Sequence, residues 1–459
     1  MDARTQRTLF ADADHAWLSA DEARELGRSL REAVPFDAHA ELTLSPARPT
    51  VAEHIERTNK GRVEDLIPIR IGRMSETPFT FYRGIAGLMA HDLQIAPVTG
   101  LHAQLCGDAH AANFGLFAGR LGGIIMDVND FDETIPGPWE WDLKRLAASL
   151  VLAGRDNDID RKSATKAARH ASRAYRRTMH RLADLTFLAS WRTQPDDTAV
   201  SEVKAKHLED DLEDAREKAQ RNANRRVADK WTAQDGDRWR FTEDPPIRAH
   251  VTDEVEEQVI EALREYIATV PAAPRTLLRR YRPHDVVHRI VGTGSVGLRS
   301  YLVLLEGNAG EALVLQVKQA TASQLEPYVP HSAPAHHGQR VAEGAKLVQA
   351  DHDVTLGWTN IDDQHYYVRQ FRNHKADIDP ETLTSKNLDD YGRLTGALLA
   401  RAHARTTDPR ALSAYLRKGK HFDKAIAAFA NAYANQMEDD YSEFTGLIDA
   451  GELPILRDV

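Results

Sequence analysis

The 459-residue chain contains one cysteine, Cys106. A single thiol excludes an internal disulfide framework and a cysteine-rich zinc site. No apolar run approaches the ~20 residues needed to span a bilayer. The opening residues MDARTQRTLFADADHAWLSADEARELG have no basic stretch followed by an apolar one, so they do not read as a secretory leader. Positive charge is not in excess either: the net charge of −10 leaves no global basic field to attract nucleic acid. Internal repeats are absent. The expectation is a cytoplasmic enzyme or binding protein with no membrane or nucleic-acid partner. At 42% hydrophobic and 28% charged residues, it has an ordinary globular composition and enough length for two or three domains.

The texture changes along the chain. Residues 13–33 read as short helices, with Ser19 placed to cap DEARELGRSLREA. Residues 61–93 carry short apolar runs, LIPIRIGRM and PFTFYRG. GGIIMDVNDFDE reads as a strand entering an acidic turn, and WEWDLKRLAASLVLAG has helical spacing. Residues 155–240 are rich in Arg, Lys, Ala and Asp and read as a charged helical insertion. KHLEDDLEDAREKAQRNANRRVADKW within it is expected to be a largely solvated helix. A joint falls around 243–285. Beyond it, DVVHRIVG, RSYLVLLEG and EALVLQVKQ suggest an antiparallel meander, GQRVAEGAKLVQA a helix and HYYVRQFRNH a further strand. From about 386 the chain is again helical. The expected organisation is an N-terminal helical arm (1–50), a helical domain (51–270), a β-rich domain (271–380) and C-terminal helices (381–459).

Two polar constellations stand out. CGDAHAANFG puts Asp108 and Asn113 five residues apart in a turn-like stretch. It is followed by Asp127, Asp130 and Asp132 at the end of a strand. Phosphoryl transfer needs one carboxylate to orient the attacking hydroxyl, and oxygen ligands to hold magnesium. Asp108 suits the first role, and Asn113 with Asp130 the second. Asp127 stays open as an alternative ligand. Clustered acids repel one another unless a cation sits among them.

The second constellation is VGTGSVG, with Gly292, Gly294 and Gly297 around Ser295. In a dinucleotide-binding fold such glycines open a helix. Here they precede Tyr301–Leu305, a strand pattern, and Lys318 closes the next strand. A strand, a glycine flap, a strand and a strand ending in lysine together cover a nucleotide in protein-kinase-like folds. The plain alternative is a glycine hairpin with a surface lysine. An acid is then needed to hold Lys318, and Glu343 on the following helix is the candidate. Arg70, Arg73 and Arg83 suit either an anion or the acids of 127–133.

CGDAHAANFG resembles the catalytic loop of aminoglycoside phosphotransferases and choline-kinase-like enzymes. MDVNDFDE followed by GPWEWDLKRLA resembles their acidic metal motif and downstream helix. GRMSETPFTFYRG, LCGDAHAANFG, DVNDFDET, VGTGSVGLRSYLVLL and LQVKQATAS together are similar to a widespread bacterial family of unknown function in the protein-kinase-like superfamily. That likeness covers about residues 50–420. It implies Asp108 as catalytic acid/base, Asn113 and Asp130 as metal ligands, Lys318 as phosphate-binding lysine and 292–297 as nucleotide flap. ATP and Mg2+ would be the cofactors, and a small hydroxylated molecule the acceptor. His110 matches the loop's second histidine. Cys106 departs from the histidine often found there.

The motif order also departs, because Gly292 comes 179 residues after Asn113. If one site uses both, the fold is a circularly permuted α+β, kinase-like two-lobe arrangement, with the helical catalytic lobe first and a small antiparallel-sheet lobe later. GRLTGALLARAHA, near the C-terminus, resembles a helix that precedes the catalytic loop in the phosphotransferases. Residues 386–459 are therefore expected to pack on 51–240. Alternatives are a metal-dependent phosphoesterase and a nucleotide-binding pseudokinase or AMP-transferase.

Overall fold

The computed structural model describes residues 18–457, apart from 120–122, 195–202, 204, 222–227, 229, 236–237, 291, 293, 331–333 and 372–375. The three strand-like runs expected as a meander do pair in antiparallel fashion, as Tyr281–Arg289, Ser300–Gly307 and Ala312–Gln319. They form the middle of a six-stranded sheet. Arg248–His250 lies on one edge, and Gln364–Gln370 then Gly357–Ile361 lie on the other. Alternation along each strand gives the sheet two different faces. One face carries Val286, Val303, Leu315, Val317 and Val368 and packs under the helix Asp253–Thr269. The opposite face carries Val287, Leu302, Leu304 and Val314, packed on Phe241 and Phe371, and also presents Lys318. Because the Asp253–Thr269 helix shares the sheet's core, the β-rich part begins near 248 rather than at 271.

The rest is mainly helical. Helices Trp139–Asp156, Arg161–Ala183, Ser385–His403 and Lys420–Asp449 pack on one another around a core that includes Leu143, Leu150, Tyr175, Leu398 and Phe429. Arg161–Ala183 lies in the stretch expected as a charged helical insertion, and its Ala164, Ala167, Ala168 and Ala171 form a buried small-residue face. Gly396 crosses that face so closely that a Cβ would lie 2.2 Å from the Ala171 carbonyl oxygen. This part of the expected 155–240 insertion is therefore core. Farther on, Thr232–Asp235 and Arg238–Phe241 form a β-hairpin instead of helix. The charged helix Glu209–Arg221 buries Leu212, Ala215 and Ala219.

Ser19 caps the helix Ala20–Ala33 through a reciprocal capping box with Glu22. That helix lies against Pro409–Tyr415. The runs before the 106–113 loop are helices, Ile67–Met74, Pro78–Arg83 and Ala86–Leu93. Two short antiparallel sheets complete the architecture. His102–Leu105 pairs with Ile135–Pro138, and Phe114–Ala118 lies between Ile124–Val128 and Ala376–Asp377. No helix among the described residues is long and apolar enough to cross a membrane.

Candidate functional site

The 106–113 loop leaves the strand His102–Leu105 and enters Phe114–Ala118. Gly107 sits at φ +82°, and a Cβ there would lie 2.1 Å from the carbonyl oxygen of Glu133. Only glycine fits this approach of the loop to the acidic turn. The loop's backbone is held from the helix Trp139–Asp156. Asp142 accepts from the amides of Cys106 at 2.8 Å and Gly107 at 3.1 Å. His403 Nε2 lies 3.2 Å from the same carboxylate, and His403 Nδ1 is 2.9 Å from the Tyr175 hydroxyl. The Ala111 amide donates to Ser149 Oγ, and the Tyr391 hydroxyl donates to the Ala111 carbonyl at 2.6 Å. The C-terminal helix Ser385–His403 therefore supports the loop directly.

Within the loop, Asn113 Nδ2 donates to the Asp108 carbonyl at 2.7 Å. The Asp108 carboxylate is paired with Arg145, which also donates to the Tyr82 carbonyl. Burial pushes Asp108 up to about 7, the cation of Arg145 opposing and the carboxylates of Glu133 and Asp130 adding to the rise. His110 Nε2 lies 3.7 Å from Asp108. Burial, then the charges of Arg83 and Arg145, hold His110 well below the usual histidine range. A neutral, buried ring suits a supporting role.

The three aspartates expected at the strand end meet different environments. Asp127, fully buried, receives Arg401 Nη2 at 2.5 Å on both carboxylate oxygens and the Val128 amide at 2.9 Å. Asp130 borders a cavity of about 630 Å3, and its Oδ1 accepts the Asp132 amide at 3.2 Å. Asp132 forms a direct ion pair with Lys318. It also accepts from Ser295 Oγ at 2.9 Å and from the Tyr367 hydroxyl at 3.1 Å. Glu133 accepts from the Gln324 amide at 2.6 Å, tying the turn to the segment after Lys318. Arg340, on the helix His337–Val348, clasps the turn by donating to the carbonyls of Asp132 and Thr134, each at 2.7 Å.

Lys318 also donates to Ser295 Oγ at 2.8 Å. Burial by itself would lower its pKa, but the Asp132 carboxylate prevails and holds the ammonium above its ordinary value. In turn Lys318 holds Asp132 below the usual carboxylate range against its burial. Glu343 does not supply this counter-charge. It lies one helical turn from Gln339 and accepts that side-chain amide at 2.8 Å. The acid comes instead from the turn opposing the strand end, and nothing in the spacing of Asp127, Asp130 and Asp132 singles out Asp132.

The glycine loop is itself anchored. Gly292 and Gly297 take φ of +67° and +90°, and the Val63 amide donates to the Gly297 carbonyl at 2.8 Å. Arg73 donates to the Gly292 carbonyl. A Cβ on Gly294 would lie 3.4 Å from the Arg83 carbonyl oxygen, and Arg83 itself is 3.7 Å from Glu381. Arg70 is fully buried and bonds Asn59 and the Gly84 carbonyl.

Beside this cluster is a cavity of about 630 Å3. Phe117, Phe131, Val341 and Leu356 form apolar walls, and Asp130 and Lys318 supply charge. A second cavity of about 810 Å3, bordered by Arg83, Glu381 and Arg457, shares Arg73 and Gly292 with the first. Asp108 and Asn113 line neither of the two. Among the described residues no group of three or more His, Cys, Asp or Glu side chains is arranged to hold a metal.

Fold and site define an α+β protein in which a glycine loop and a strand-borne lysine close on an acidic turn from the distant first half of the chain. Residues 62–447 match the family described as "Uncharacterized protein conserved in bacteria (DUF2252)", and the chain belongs to that family. No curated protein and no solved structure matches it.

Proposed function

We propose that this protein is a magnesium- and ATP-dependent phosphotransferase acting on a hydroxyl of a small molecule, with a kinase-like architecture in circularly permuted order. The observation that carries the reading is the meeting of Lys318 and Ser295 with Asp132, across 163 residues or more of sequence, at the edge of the 630 Å3 cavity. The sheet with its glycine loop corresponds to a nucleotide-covering lobe. The helical part corresponds to a catalytic lobe, completed by the C-terminal helices.

Each role follows from residue chemistry. Lys318 neutralises phosphate oxygens, and the backbone of 292–297 approaches them closely because its glycines carry no Cβ. Asp130, free of an ion pair with Lys318, and Asn113, whose amide nitrogen is already donated, would hold the metal. Magnesium is usually bound by one or two carboxylates together with substrate phosphates and water, so a sparse protein ligand set fits it. The bound ion would supply charge neutralisation of the triphosphate. Asp108 orients the acceptor hydroxyl and receives its proton, a role helped by a pKa near the working pH.

The test is calorimetric titration with Mg·ATP and then a turnover assay against a panel of hydroxylated metabolites. Wild type should bind Mg·ATP, Lys318→Ala should lose that binding, and Asp108→Asn should bind but not turn over. Mass spectrometry of the product separates transfer of phosphate from transfer of AMP. Failure of the wild type to bind Mg·ATP, or equal binding by Lys318→Ala, ends the proposal.

A further inference from the structure

The sheet face that carries Lys318 carries a second cation. In the antiparallel pairing of Ala312–Gln319 with Gln364–Gln370, Lys318 opposes Tyr367 and Gln316 opposes Arg369. Residues two apart on a strand share a face, so Arg369 stands about 7 Å farther along the strand from the glycine loop than Tyr367, on the same side. Arg369, Gln316, Tyr367 and Lys318 all border the 630 Å3 cavity.

Arg369 is oriented by a buried relay. Its Nε donates to Gln316 Oε1 at 3.0 Å, and Gln316 Nε2 donates to Ser300 Oγ at 3.0 Å. Gln316 and Ser300 are 2% and 0% exposed. The guanidinium also lies 5.6 Å from the centre of the Tyr367 ring. These contacts fix the plane of the group while occupying only Nε. Among the described residues neither Nη1 nor Nη2 has a hydrogen-bond acceptor or an ion-pair partner. The carboxylates of Asp130, Asp132 and Asp353 act on it through space only. A buried glutamine on this face has no packing advantage over the valines and leucines around it. Its function in the fold is to aim the arginine.

We infer that Arg369 is a second phosphate-binding residue, and that the cavity is built for a nucleoside polyphosphate whose phosphate chain runs along the sheet from Lys318 to Arg369. The inference rests on the nucleotide reading above and adds the ligand class: di- and triphosphates, with nucleosides and monophosphates disfavoured because they cannot reach both cations. Arginine suits this position because its planar fork pairs two oxygens of one phosphate, which lysine cannot imitate.

The experiment titrates Mg·ATP, Mg·ADP, AMP, adenosine and inorganic tripolyphosphate into the full-length wild type, Arg369→Met, Arg369→Lys, Gln316→Leu and Lys318→Ala. Circular dichroism first shows that each variant is folded. Arg369→Met should weaken Mg·ATP by about 10- to 100-fold, the loss of a charge-assisted bidentate contact. Adenosine affinity should stay unchanged in this variant. Arg369→Lys should not restore ATP affinity, and Gln316→Leu should give a smaller loss in the same direction. If the wild type binds Mg·ATP and Arg369→Met binds it within twofold, the inference is overturned. If the wild type binds none of the nucleosides or nucleotides, the phosphotransferase reading fails separately. In that case, tripolyphosphate binding that depends on Arg369 would still support the anion site, and tripolyphosphate binding indifferent to Arg369, or absent, would remove it.

Discussion

Arg401 and Asp127 give the sharpest test of how this site is assembled. The two side chains are 4% and 0% exposed and meet through both carboxylate oxygens at 2.5 Å. Arg401 Nε and Nη1 are buried without a hydrogen-bond partner among the described residues. Burial raises the Asp127 pKa even beside this arginine. Removing the cation therefore leaves an uncompensated carboxylate in a dry interior, at the strand that leads into the acidic turn. Arg401→Met keeps most of the apolar stem and deletes the charge. Its expected cost is about 3–5 kcal/mol, the range for breaking a buried pair from one side. Asp127→Asn should cost a similar amount, about 3–5 kcal/mol, because the Arg401 guanidinium cannot lose its charge and is left buried against a neutral amide. The double variant Asp127→Leu/Arg401→Met should recover much of the loss, since two apolar groups replace a pair that carries its own desolvation cost. Urea unfolding followed by tryptophan fluorescence measures all of these, with Asp127→Leu included to complete the cycle. A coupling below about 0.5 kcal/mol would refute the argument, being within the scatter of independent sites. The same series separates Asp127 from Asp130 as a metal ligand. An Asp127→Asn variant that unfolds like wild type but loses Mg2+-dependent ATP binding would move the ligand role to Asp127.

Four further outcomes follow from the loop and its supports. The raised pKa of Asp108 means that the folded state keeps a proton the unfolded chain releases between pH ~4 and ~7, so this group's contribution to stability is lost as pH rises through that window. Asp108→Asn should therefore gain stability relative to wild type at pH 8 and not at pH 4, and a pH-independent difference in urea midpoint would contradict the assignment. In turnover assays the wild-type rate should climb with pH through about 7, and Asp108→Asn should fall by roughly 10²- to 10⁴-fold. Asp142→Ala strands the buried amides of Cys106 and Gly107, at about 1–3 kcal/mol for each unmet donor, and should lower kcat with Mg·ATP affinity largely kept. Gly107→Ala forces a Cβ against the Glu133 carbonyl at a positive φ. The acidic turn must then shift away from Lys318, and calorimetry should show weakened Mg·ATP binding.

What could be read from sequence depended on whether the signal was local. The meander at 281–319 was legible because short runs rich in valine and leucine, bounded by glycine turns, are properties of a few adjacent residues. That the glycine loop and Lys318 share a site with the acidic turn was expected from their chemistry alone, while the lysine's counter-charge was sought in Glu343. Which carboxylate serves which cation was not legible. Three aspartates within six residues differ only in what packs on them, and Asp127 is claimed by an arginine 274 positions away. Glu343 failed as the lysine's partner for the same reason. Helical spacing identifies a face, whereas the choice of counter-charge depends on how the helix is rotated against the turn, and here the residue that reaches the turn is Arg340. The helix Arg161–Ala183 shows the converse case. It falls in the stretch expected as a charged helical insertion, but a helix with alanine at every third or fourth position offers a flat face for close packing, and that face lies under Gly392 and Gly396. Composition averaged over the segment hid a periodicity that the buried glycine contacts make plain. The parts of the site hardest to see in sequence are thus those that hold it rigid: Asp142 and Arg145 touch the loop, Arg340 the turn and Arg401 the strand leading into it, all from helices, and each acts through a contact that no spacing rule contains.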